Sequence, residues 1–138
     1  ERVEVELTQR AVQVVGAADR SARFHAREHR NRVGRAPTER VAVPAKWDFA
    51  EPRRVADVVL DNCFDGWDGR AEVVWPRRKL RLVLEASEPF RHLVVFIPPD
   101  RPNFCVEPVS HANGQIGRTR LAAVATLAGE IVFRLSDL

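Results

Sequence analysis

The sequence predicts an all-β protein, an antiparallel β-sandwich that forms a single domain over residues 1–138. Three observations predict it. Apolar residues recur with a period of two far more often than 3.6. Short apolar runs are separated by proline- and glycine-bearing breaks. The chain, 45% hydrophobic and 30% charged over 138 residues, can bury one core but is short for two.

In ERVEVELT, Val3, Val5 and Leu7 alternate with Arg2, Glu4 and Glu6, which is the pattern of a strand with one face on a core. The opening segment ERVEVELTQRAVQVV reads as one strand that passes directly into an arginine-rich stretch. Residues 17–39 lose periodicity and are expected to be irregular. RVAVP restores it, with Val41 and Val43 facing one way before Pro44. AEVVW, a Pro76-Arg77-Arg78 turn and KLRLVLEA form a hairpin, with Leu80, Leu82 and Leu84 on one face and Arg81, Val83 and Glu85 on the other. HLVVFI, NFCVE, RLAAVATL and EIVFRL supply four further strand-like runs, broken at Pro98-Pro99, Asn113-Gly114 and Ala128-Gly129. Their β-branched content and length favour strand over helix. No internal repeat or domain linker is visible.

Twenty-two Lys+Arg against 19 Asp+Glu give a net charge of +3, carried almost wholly by arginine. Seven arginines lie between Arg20 and Arg40, interleaved with Phe24, His25 and His29. Such a run could contact phosphates, but no nucleic-acid-binding module follows it, and an arginine-rich surface is the expectation. No apolar run approaches the ~20 residues that span a bilayer, and the first residues have no signal-peptide character, so a soluble cytoplasmic chain without membrane partners is expected. Cys63 and Cys105 could form at most one bridge, and free thiols are expected.

A glycine-rich phosphate loop, HExxH, a CxxC pair and GxSxG are all missing from the sequence, so it offers nothing for nucleotide hydrolysis, zinc proteolysis or serine hydrolysis. No cofactor or metal is expected. In DNCFDGWDGRAE, Asp61, Asp65, Gly66 and Glu72 occupy the first, fifth, sixth and twelfth positions of a calcium loop, but Cys63 at position three and Asp68 at position eight argue for a polar turn instead.

Two segments place polar residues where strand patterning would not. Asp61 follows an apolar run at a strand end, and Trp67 lies between Gly66 and Gly69 in a turn. A carboxylate accepting hydroxyl protons beside an indole covering C–H edges suits a sugar site. Glu107 follows Phe104, Cys105 and Val106 and precedes Pro108, which is expected to end the strand. Partial burial raises a carboxylate from about 4.3 towards neutrality, which suits a general base. A salt-bridged edge glutamate is the structural alternative.

The strings LDNCFDGWDG, EVVWPRR, LRLVLEAS and HLVVFIPPDRPNFCVEPVSHANG, in this order and spacing, resemble the second half of bacterial aldose 1-epimerases, the galactose mutarotases. The resemblance covers residues 37–138. It implies a galactose mutarotase-like β-sandwich, here a partial (half) supersandwich, whose family opens an aldose hemiacetal and recloses it on the other face. It implies that Glu107 is the general base taking the C1 hydroxyl proton and that Asp61 binds sugar hydroxyls; His111, four residues past Glu107, could approach the site and is read as a rim group or one just behind it, since the family does not use it as the acid.

The family's acid, a histidine in an HPYF-like string of the first half, has no counterpart here. His25 and His29 match nothing by context, and a proline-glycine-glutamate turn appears as Ala128-Gly129-Glu130. Two functional readings follow. One is an aldose 1-epimerase acting on a hexose through Glu107, with Asp61, Trp67 and His111 binding substrate. The other is a non-catalytic carbohydrate-binding fragment. A homodimer, or a missing N-terminal half supplied elsewhere, would complete either.

Overall fold

Alternating burial converts the sequence pattern directly into sheet geometry. Along Asn103–Val109 every second residue is buried, and the same period runs through Arg70–Trp75. A computed structural model describes residues 4–7, 12–15, 20–26, 28–31, 40–112, 115 and 121–138. Its strands are β1 (Glu4–Leu7), β2 (Val12–Val15), β3 (Ser21–Phe24), β4 (Glu28–Asn31), β5 (Val41–Ala42), β6 (Arg53–Arg54), β7 (Leu60–Asp65), β8 (Arg70–Trp75), β9 (Leu80–Ala86), β10 (His92–Ile97), β11 (Asn103–Val109) and β12 (Ile131–Asp137).

They form two antiparallel sheets, one of seven strands in the order β1-β2-β11-β10-β7-β4-β5 and one of five in the order β12-β9-β8-β3-β6. Leu60, Phe64, Leu93, Val95, Ile97, Phe104 and Val106 from the first sheet meet Ala22, Phe24, Ala71, Val73, Trp75, Leu82 and Leu84 from the second in one buried cluster. This face-to-face packing is that of a sandwich. Phe24 joins the layers, stacked on Phe49 at 4.9 Å and edge-on to Phe64 at 5.0 Å. Among the described residues no helix is long and apolar enough to cross a membrane.

The predicted hairpin is present: β8 and β9 pair from Arg70↔Glu85 to Trp75↔Leu80 around a 3-10 turn at Pro76–Arg78. Four expectations change. The opening segment is two strands, paired from Glu4↔Val15 to Leu7↔Val12, because reversing the chain lets the second run also pair with β11. The stretch 17–39, expected to be irregular, holds β3 and β4, which tertiary pairing with β8 and β7 stabilises although local periodicity is weak. RLAAVATL is not a strand in its described part: residues 121–130 are exposed, with Val124 at φ 60. Pro108 does not end β11, which continues to Val109 opposite β10. The ladder with β2 covers Asn103–Val106, so a residue lacking an N–H at 108 falls beyond it.

Several of the described arginines are absorbed by the fold. On the five-stranded sheet Arg23, Arg70 and Arg81 lie within ion-pair range of Glu72, and Arg70 and Arg134 bond Glu85. Arg20, 5% exposed, lies 4.9 Å over the Phe104 ring.

Candidate functional site

The outer face of the seven-stranded sheet follows from strand parity. Since Leu60, Phe64, Leu93, Val95, Phe104 and Val106 point into the sandwich, Asp61, Cys63 and Asp65 on β7, His92, Val94 and Phe96 on β10, and Cys105, Glu107 and Val109 on β11 point the other way. The ladders align them in rows. Asp61, Phe96 and Cys105 form one row; Cys63, Val94 and Glu107 form the next; Asp65, His92 and Val109 form the third.

Asp61 and Glu107 therefore share one face, two strands and one row apart. With ~4.8 Å between strands and ~3.4 Å per residue, their backbones are separated by about 12 Å. Asp61 is exposed and Glu107 half-buried. Asp61 stands second in β7 rather than at a strand's end, because Val55–Asp57 form a 3-10 turn and Val58-Val59 no strand.

On this face Cys63, Val94 and Ala112 form a small buried cluster, with Val109 packed on it. Cys63 and Cys105 are free thiols. Burial, and after it the Glu107 carboxylate, push the Cys105 thiol above its ordinary value of 9.0, so it stays protonated at neutral pH and is a poor nucleophile.

The third row holds a group that patterning did not single out. Asp65 is 2% exposed, and its carboxylate accepts from His92 Nδ1 at 2.7 Å and pairs with Arg40 Nε at 2.8 Å. Buried carboxylates persist when donors surround them in this way. Only the register, Asp65↔His92 across β7 and β10, brings together residues 27 positions apart. Cys63, Asp65 and His92 offer ligand atoms within 4.8 Å of one another. A guanidinium already on Asp65 opposes a second cation there. The calcium-loop spacing has no counterpart in space, because Asp61 and Asp65 belong to β7 and Glu72 to β8, in different sheets.

Trp67 does not line this face. It is 1% exposed within the core between the sheets, and its Nε1 donates to the Arg70 carbonyl at 2.9 Å. Gly66 at φ 65 and Gly69 at φ 88 bend the turn so that the indole folds inward. An indole so buried has no free face to cover a sugar. His111 is exposed, two residues past the end of β11, with Nδ1 3.2 Å from Ser110 Oγ.

No family model matches the sequence. Among curated proteins, the chain is 27% identical over 77 residues to the uncharacterized protein YphB of Escherichia coli K12, covering 51% of this chain and 27% of YphB. A solved structure of a "putative aldose 1-epimerase" from Escherichia coli K12 superposes with a TM-score of 0.74 at 22% identity, covering 93% of this chain and 49% of that one. A galactose mutarotase-like protein from Clostridium acetobutylicum gives 0.69 at 14% identity, with coverages of 93% and 46%. The chain spans about half the length of the solved structures it matches. Its two antiparallel sheets are thus a galactose mutarotase-like fold, present over roughly half of that architecture.

Proposed function

We propose that this chain carries an aldose 1-epimerase-type sugar site, in which a hexose lies on the outer face of the seven-stranded sheet. Glu107 is the general base that takes the C1 hydroxyl proton, and Asp61 accepts hydrogen bonds from other ring hydroxyls. The observation that supports this best is the placement of both carboxylates on one face across β7, β10 and β11. Their backbones, about 12 Å apart, leave room between them for one pyranose ring. Phe96, half-buried and paired with Asp61 on β10, provides an apolar floor for the C–H edges. The likeness to galactose mutarotase-like folds agrees with this reading.

A second reading, a carbohydrate-binding chain without turnover, is favoured by one observation: the sequence has no HPYF-like string to supply the family's acid. Polarimetry separates the two. Fresh α-galactose or α-glucose should reach anomeric equilibrium faster with the wild-type chain than in buffer, and Glu107→Gln should remove the acceleration. Wild-type and variant traces that both match buffer would exclude catalysis. Sugar-induced NMR shifts confined to the outer face would then identify the binding role.

A further inference from the structure

Ring opening needs a proton donor as well as a base, because the ring oxygen leaves poorly as an alkoxide. Building on the sugar-site reading, the geometry points to His92 as that donor, with Asp65 and Arg40 as the residues that position it.

Four observations converge. His92 lies on the same sheet face as Glu107, on the adjacent strand: Glu107 pairs with Val94, and His92 is two residues before Val94. That is the diagonal relation across an antiparallel pair, about 7–8 Å between backbones and within reach of long side chains. The His92 side chain is 18% exposed, accessible yet held. Its Nδ1 is committed to the Asp65 carboxylate at 2.7 Å, and among the described residues nothing bonds its Nε2. Asp65, 3% exposed at its side chain, is itself anchored by Arg40 Nε at 2.8 Å, so the imidazole is oriented by a carboxylate that cannot readily turn away.

This is the arrangement in which a buried carboxylate fixes the orientation of the ring through Nδ1, leaving Nε2 for proton exchange. An ion pair serving only the fold would need no accessible imidazole on a face that also carries Glu107. A metal in place of the proton is disfavoured by the guanidinium on Asp65.

The step balances without a co-reactant. Glu107 takes the proton from the C1 hydroxyl, the C1–O5 bond breaks with its electron pair moving to O5, and O5 receives the proton from His92 Nε2. The aldehyde turns about the C1–C2 bond. The steps then reverse: Nε2 recovers the O5 proton as the bond reforms, and Glu107 returns its proton to O1. Both groups end as they began.

The test combines polarimetry with variants of His92, Asp65 and Glu107. His92→Asn places an amide where Nδ1 stood, so it can still bond Asp65, but it removes Nε2. It should lower kcat by about 100-fold or more, the range for loss of a general acid, with KM little changed. His92→Gly should lose activity likewise and regain part of it with added imidazole. Asp65→Asn should lower kcat with KM little changed, whereas a purely structural role would lower the melting temperature and leave kcat in place. Thermal melts confirm that each variant is folded. If His92→Asn and a folded His92→Gln keep the wild-type rate while Glu107→Gln abolishes it, the donor assignment is overturned and the sugar-site reading stands. If the wild-type chain gives no acceleration, both fall.

Discussion

Trp67 offers a decision between two roles for one indole, a platform for sugar or a block of core. The structure makes it core, at 1% exposure, with its Nε1–H on the Arg70 carbonyl at 2.9 Å. Trp67→Phe would keep most of the buried ring area. It would lose one hydrogen bond, about 0.5–1.5 kcal/mol net, and leave a small void, for a total of about 1–2 kcal/mol. Trp67→Ala would cost roughly 3–5 kcal/mol, a large share of the roughly 5–15 kcal/mol typical of a whole domain. For a chain of this size each kcal/mol lowers Tm by roughly 3–5 °C. Urea and thermal melts measure the loss, and an NMR titration with hexose measures affinity on the same samples. The expected result is a graded loss of stability with unchanged affinity in Trp67→Phe. An unaltered melting curve together with lost sugar binding would refute the burial argument and return the indole to the site.

Three other outcomes follow from local geometry. A Cβ on Gly69, at φ 88, would lie 2.6 Å from the Ala86 carbonyl oxygen, so Gly69→Ala should destabilise by about 2 kcal/mol or more in urea melts. Val124→Gly should instead raise Tm slightly, by relieving a β-branched residue at φ 60 in an exposed turn. The Cys105 thiol, raised by burial and by Glu107, should alkylate with a midpoint above pH 9.0. In Glu107→Gln that midpoint should fall only part of the way, burial being the larger cause. Because the folded state keeps this proton while the unfolded state releases it, the thiol's contribution to stability declines as pH rises through the interval between the two values.

Much of the architecture was legible along the chain. Period-two alternation in AEVVW and KLRLVLEA named the β8–β9 hairpin, and HLVVFI and NFCVE named two of the three strands that carry the face, whereas the third, β7, begins only at Leu60 and runs through the polar LDNCFD, beyond the strand end expected at Asp61. Alternation is local, so it survives in a single sequence. The misreadings have one origin, namely that pairing partners are distant. β3 and β4 form within an arginine-rich stretch because β8 and β7 offer them ladders, and RLAAVATL, strand-like by composition, stays exposed over 121–127.

The sequence alone singled out Asp61 and Glu107, since a carboxylate beside an apolar run is conspicuous wherever it sits, and passed over His92. Only the tertiary structure decided which of them meet. The β7–β10–β11 register placed both on one face, joined Asp65 to His92 across 27 positions of chain, and turned Trp67 inward. The physical reason is that sidedness in a strand is set by backbone parity, whereas neighbourhood across a sheet depends on strand order, which adjacent residues do not encode.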